Sequence, residues 1–182
     1  ENEHGWQVFG VRDGFEGFLV PSGRGIERLD RKDIAGILPE GGTILGASNR
    51  CNIFAVKRGR KTVDESPRVA ALLKKVGASA LIVVGGEGTH KAALGLHRMG
   101  VPVVGVPKTI DNDLDGTDLT FGFDTAVGIA SEAIDRLHST AASHHRVMCV
   151  EVMGRHAEWI ALHSGLSGGA DVILIPEIAY DP

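Results

Sequence analysis

The chain has 182 residues, 43% hydrophobic and 23% charged, the balance of a globular protein able to bury a core of its own. A net charge of −4 and only 5% aromatics exclude a global basic footprint for nucleic acid or an anionic membrane, and no apolar run reaches the ~18 residues of a membrane span. Two cysteines make no disulfide framework, so a reducing, cytoplasmic setting is expected. The 25 glycines are about double the usual ~7% share, and many directly follow apolar runs, where a strand would turn into a loop.

In chain order, residues 7–11 (QVFGV) predict a short strand and 31–38 a short helix. The charged residues 57–66 are expected to form a mobile loop. Ser66 and Pro67 open a helix as cap and first-turn proline, Val69, Leu72, Leu73 and Val76 repeat at helical spacing, and Gly77 closes it. Residues 80–84 (ALIVV) predict a strand buried on both faces, 89–99 a helix stopping at Gly100, and 101–106 (VPVVGV) a second buried strand. Phe123, Val127, Ala130, Ile134 and Leu137 form one apolar helical stripe. Residues 147–152 and 172–176 predict a third and a fourth strand around a helix from Trp159 to Leu166. Strands alternating with helices across short connections predict an α/β fold with a mostly parallel sheet. With no strand before residue 7 and no helix after the last one, the chain is expected to be part of a longer protein.

Ligands of open α/β sheets bind at the carboxyl ends of the strands. Two loops there carry unusual residues. Gly85, Gly86, Glu87, Gly88 and Thr89 follow ALIVV and precede a helix; glycines let backbone N–H groups approach phosphate oxygens, and the helix N-terminus adds its positive dipole end. Glu87 suits such a place beside a divalent cation. Taken alone, the run reads equally as a tight turn with Thr89 as N-cap. The second loop, Pro107 to Asp113 (PKTIDND), adds a cation, a hydroxyl and two carboxylates. Asp111 and Asp113 suit different tasks, one taking a proton from an attacking hydroxyl and the other helping to hold a metal. Phosphoryl transfer needs such parts, whereas a solvated Asx turn is the bland reading. Arg155 follows the third expected strand, where a phosphate clamp would sit. Arg146 lies at the other end and would serve a site only on a neighbouring subunit. His144 and His145 are adjacent and diverge, with no further ligand at zinc spacing. Cys149 is expected as a small core residue, and Trp6 and Trp159 as packing.

The runs GGEGT (85–89), PKTIDND (107–113), EAIDRL (132–137), SHHR (143–146), EVMGR (151–155) and PE (176–177) resemble 6-phosphofructokinases in content and order, as do GGTILG (41–46) and DGFEGF (13–18) upstream. The resemblance covers nearly the whole chain. It implies a doubly wound α/β fold with two Rossmann-like domains, residues 1–122 belonging to the donor domain and 123–182 to the start of the fructose 6-phosphate domain. It implies Asp111 as the base for the 1-hydroxyl of fructose 6-phosphate, with Thr109 also on the sugar. Glu87 and Asp113 would serve magnesium, and Gly86, Glu87, Gly88 and Thr89 the donor phosphates, as would Arg50 and Cys51. Met153, Gly154 and Arg155 would bind the sugar phosphate, and Arg146 would reach it in the adjacent subunit of a homo-oligomer, expected to be a tetramer.

Two departures from the family pattern stand out. Its first glycine-rich loop and its later sugar-phosphate residues have no counterpart here, so a truncated, binding-only subunit is a further reading of the chain. Arginine in relatives regulated by ADP and phosphoenolpyruvate is replaced by His138. Pyrophosphate users resemble one another in carrying Asp at position 88 with Lys at 108; this chain pairs the ATP-like Gly88 with Lys108, and ATP is the donor expected. A related kinase acting on NAD or lipids fits PKTIDND and MGR poorly, and a dehydrogenase would need a GxGxxG turn that is missing.

Overall fold

The computed structural model describes residues 4–154 and 157–181. The chain divides into two compact units, one of Glu1–Ile82 with Lys91–Val104 and the other of Val83–His90 with Gly105–Pro182.

In the first unit the expected opening strand forms as β1 (Val8–Val11) and pairs antiparallel with β2 (Ile26–Leu29), Val8 opposite Leu29 and Val11 opposite Ile26. The sequence reading had no β2, because a four-residue run with two charges carries little period-2 signal. The 3-10 turns between them pack backbone on backbone: a Cβ on Gly25 would lie 2.1 Å from the Gly17 carbonyl oxygen, so this contact requires glycine.

Residues 31–38 form a run of turns in place of the expected helix. The Asp33 carboxylate takes the Asp30 N–H at 2.7 Å, the local competition by which Asp disfavours helix. Gly36 turns at φ +82° and Leu38 is 97% exposed, so no apolar face rewards a helix there. Residues 57–66 also depart from expectation. They contribute to a hairpin, β3 (Val56–Arg58) against β4 (Lys61–Val63), with Arg58 opposite Lys61. Gly59 at φ +62° supplies the left-handed step of its two-residue turn.

The helix α1 (Ser66–Lys75) forms as read, with proline in its first turn. Its N-cap is Glu65, one position before the expected Ser66, and the Asp64 carboxylate accepts the Ser66 N–H at 2.9 Å. At the far end Ala78 N–H reaches the Leu73 carbonyl at 3.0 Å and Gly77 adopts φ +73°, a glycine-closed terminus. Val69 and Leu73 of this helix join Phe18, Ile53 and Leu96 in the first core.

Hydrogen bonds from the Ser66 hydroxyl and amide hold Asp64 below the usual carboxylate range. A depressed folded-state value means that its contribution to stability is complete above about pH 4 and is lost as pH falls through that lower value. Asp64→Ala is therefore expected to lower the melting temperature by a constant amount from neutral pH down to about pH 4, with the gap closing at more acid pH. Melting curves of both proteins across that range check this.

The sheet of three strands orders β5 (Leu81–Gly85), β6 (Val103–Thr109) and β7 (Phe121–Gly122). The helix α2 (Glu87–Arg98) makes the β5–α2–β6 crossover. β6 and β7 run parallel, Lys108 opposite Phe121 and Thr109 opposite Gly122. β6 starts later and ends later than its apolar pattern, so Pro107, Lys108 and Thr109 belong to the strand and not to the loop.

In the second unit α3 (Phe123–His144) carries the predicted stripe. It packs on α4 (Trp159–Ser167) around Phe123, Ala130 and Ile160, with Ala126, Val127 and Val152 at the rim. The two remaining predicted strands are not formed. Residues 147–152 and 172–176 pair with no strand among the described residues, and Val147 is 92% exposed. A run made to be buried on both faces needs neighbours that supply ladder bonds and cover. Cys149, expected in the core, is accordingly exposed, as are Trp6 and Trp159. The α/β architecture holds, built on the parallel pairing at β6 and the β5–α2–β6 crossover. Among the described residues no helix is long and apolar enough to cross a membrane.

Candidate active site

The turn after β5 launches α2 from Gly86, whose carbonyl accepts the His90 N–H at 3.1 Å. The amides of Glu87, Gly88 and Thr89 therefore occupy the first turn, where N–H groups have no intrahelical acceptor and point out of the positive end of the helix. Thr89 lies inside this turn and is not its cap. Its side chain fills the space over Gly85, where a Cβ would meet Oγ1 at 2.4 Å. Gly88 is exposed, and a Cβ added there would touch nothing within 4 Å. Glu87 is exposed in the same turn.

Thr109 ends β6, and its hydroxyl organises the next loop. Oγ1 donates to Asp111 Oδ2 at 3.0 Å and accepts the Asp111 N–H at 3.2 Å. Asn112 takes the left-handed region at φ +52°, one of the few non-glycine residues that does so at low cost, and so separates the directions of its two aspartate neighbours. The two loops meet: a Cβ on Gly86 would stand 3.8 Å from Thr109 Cβ. The phosphate-type turn and the carboxylate of Asp111 are thus brought to one end of the parallel sheet. Lys108 and Asp113 flank them and are exposed.

Thr120 carried no signal in the sequence, and Asn112 stood within PKTIDND without an assigned role. Thr120 is 6% exposed; its hydroxyl donates to the Thr109 carbonyl at 2.8 Å and its N–H donates to Asn112 Oδ1 at 2.9 Å. Asn112 Nδ2 adds a bond to the Asp118 carbonyl at 3.3 Å. These bonds span up to 11 positions, beyond any local motif. Thr120→Val leaves the Thr109 carbonyl without its buried donor, so a stability loss of about 1–3 kcal/mol is expected. Thr120→Ser should recover it. Melting curves of the three proteins check this.

The other predicted residues lie elsewhere. In the first unit Arg50 is exposed and lines a shallow cleft with Asp13, Glu16, Ala47, Ser48 and Asn49. The Cys51 side chain packs against the first core. Burial, and then the Glu16 charge, push its thiol up, which keeps it protonated and unreactive at neutral pH. In the second unit Arg146 is exposed just past α3, its N–H closing on the Ala141 carbonyl at 3.0 Å. His145 supplies the left-handed residue of that terminus at φ +53°, a structural task for the His pair. Met153 is exposed, and Gly154 sits against the Glu158 carboxylate, which a Cβ there would displace. Glu177 of the PE pair accepts the Glu158 N–H at 3.0 Å. Arg155 lies outside the described residues. Among the described residues no group of three or more His, Cys, Asp or Glu could hold a metal as a cage.

A family model described as Phosphofructokinase matches residues 1–182. The chain is 57% identical over 178 residues to an ATP-dependent 6-phosphofructokinase of Chloroflexus aurantiacus, covering 97% of this chain and 49% of that protein. It is 56% identical over 184 residues to a pyrophosphate–fructose 6-phosphate 1-phosphotransferase of Streptomyces coelicolor, covering 98% and 50%. The chain thus spans about half the length of the curated relatives it matches. Its fold superposes on the phosphofructokinase of Saccharomyces cerevisiae with a TM-score of 0.77 at 34% identity, over 91% of this chain and 24% of that one.

Proposed function

The chain belongs to the phosphofructokinase family, and from that premise we propose that it carries donor and acceptor machinery for phosphoryl transfer from ATP to the 1-hydroxyl of fructose 6-phosphate. The supporting observation is the Thr109–Asp111 hydrogen bond set against the Gly86 turn. Thr109 engages Oδ2 of Asp111, which leaves Oδ1 for the substrate proton. Asp111 takes that proton as the hydroxyl oxygen attacks the terminal phosphorus; the new P–O bond forms, the bond to the bridging oxygen breaks, and ADP leaves. The first-turn amides of α2 and Lys108 meet the oxygens on which charge develops. Met153, Gly154 and Arg155 bind the sugar phosphate, and Arg146 reaches it from a neighbouring copy in a cytoplasmic homotetramer. Residues 1–122 serve mainly the donor and 123–182 the sugar.

Glu87 and Asp113 fit magnesium, which keeps several waters and takes one or two carboxylates together with substrate phosphates, so no all-protein cage is needed. When bound with the donor it neutralises charge on the phosphates. Pyrophosphate is the second reading, favoured by Lys108 and by the similarity to the Streptomyces coelicolor protein.

The test is formation of fructose 1,6-bisphosphate from fructose 6-phosphate and magnesium, with ATP and pyrophosphate in parallel, by the natural reading frame that encodes this chain. Turnover with ATP is expected. Turnover with pyrophosphate alone moves the assignment to the second reading, and none with either overturns both.

A further inference from the structure

The Gly86 carbonyl accepts two hydrogen bonds from one residue. His90 donates its backbone N–H at 3.1 Å and its ring Nδ1–H at 3.0 Å. The same ring fills the space over Gly105 of β6, where a Cβ would stand 2.8 Å from both Cδ2 and Nε2. His90 therefore ties the first residue of the phosphate-type turn to the strand that ends in Thr109. A trans peptide is planar, so fixing the Gly86 carbonyl fixes the opposite aim of the Glu87 N–H, the first amide that points out of the helix toward an anion. The Gly105 backbone leaves room for the ring, and the Gly86 turn approaches Thr109 on the same strand.

We propose that His90 is a positioning residue for the donor: its ring, seated on Gly105, doubles the hydrogen bond to Gly86 and thereby aims the Glu87 and Gly88 amides at the donor phosphates and sets their distance from Thr109 and Asp111. This rests on the phosphoryl-transfer reading above. A carbonyl can only accept, so Nδ1 carries the proton in this bond. No signal in the motif GGEGT points to it, because the seat of the ring on Gly105 exists only once α2 and β6 are assembled.

The experiment compares the parent, His90→Ala, His90→Asn, Gly105→Ala and His90→Ala/Gly105→Ala in the natural reading frame, with both KM values, kcat and its pH profile. The Asn side-chain amide nitrogen occupies the place of Nδ1 and keeps the bond. Losing one neutral, partly buried hydrogen bond is expected to raise the donor KM about three- to tenfold in His90→Ala, with the fructose 6-phosphate KM nearly unchanged. His90→Asn should recover most of that rise and keep the parent's pH profile. Gly105→Ala, which pushes the ring away, should raise the donor KM in the parent background and add nothing in His90→Ala, the non-additivity of residues acting through one contact. The proposal is overturned by an unchanged donor KM in His90→Ala, by an equal rise in both KM values without recovery by Asn, by additive effects of the two substitutions, or by a limb lost from the pH profile of His90→Asn. Should the parent turn over neither donor, the functional reading falls by itself, and the amide chemical shifts of Glu87 and Gly88 decide this one: shifts displaced in His90→Ala and restored in His90→Asn support it, unchanged shifts in His90→Ala overturn it.

Discussion

Asp111→Asn is expected to lower kcat by about 10²- to 10⁴-fold, the range carried by a positioned general base, while donor binding stays within about twofold of the parent. The asparagine keeps the volume and an acceptor for the Thr109 hydroxyl, now 3.0 Å from Asp111 Oδ2, so the 109–113 loop retains its shape. The bonds from Thr120 to the Thr109 carbonyl and to Asn112 do not involve the carboxylate and hold the loop in either protein. What the substitution removes is the oxygen that accepts the hydroxyl proton. Steady-state rates paired with calorimetric titration of ATP separate the two effects. A parallel loss of turnover and of ATP affinity would reassign Asp111 to donor binding.

The second large effect is expected at Gly88. Gly88→Asp should reduce kcat/KM for ATP by about ten- to a hundredfold, equivalent to roughly 1.4–2.8 kcal/mol of transition-state stabilisation, and spare pyrophosphate by comparison. The folded chain has no objection to the side chain: a Cβ there meets nothing within 4 Å, and a carboxylate in the first turn of a helix is electrostatically favoured. The melting temperature should therefore hold or rise. The cost falls on the bound donor, because the carboxylate projects from the turn whose amides face the phosphates and crowds the nucleotide that follows them. Rates with both donors on parent and variant measure it. Equal losses with ATP and pyrophosphate would mean charge repulsion alone, and unchanged ATP kinetics would remove the argument for ATP at this position.

These expectations draw on a site that was partly legible as residues and hardly legible as geometry. Asp111, Thr109 and the glycine turn were named from their order along the chain, since strand ends in α/β sheets put such residues at ligands. The hydroxyl-to-carboxylate bond within Thr109–Asp111 spans two positions and is local chemistry. Thr120, Asn112 and His90 were not singled out for any role. Thr120 and Asn112 act on backbone groups 6 to 11 positions away, which depends on how the chain returns to β7, and the His90 ring finds its seat on Gly105 only when β6 lies beside α2. The shift of Lys108 and Thr109 from loop to strand has the same origin: β7 pairs with them, and that pairing outweighs the proline that precedes them.

The amino-acid sequence by itself determined the elements whose signal repeats along one segment. α3 follows from an apolar residue on every turn, α1 from its proline opening and glycine close, and β5 from an uninterrupted apolar run before a double glycine. Side-chain periodicity and left-handed glycines act within a few residues, so local order suffices to read them. Only the tertiary structure decided the rest. β2, the β3–β4 hairpin and β7 are short or charged and exist because a neighbour supplies their ladder bonds. Residues 147–152 and 172–176 have the apolar pattern of strands and remain unpaired among the described residues, because a strand is a relation between two segments and its hydrogen bonds must be met by the other one.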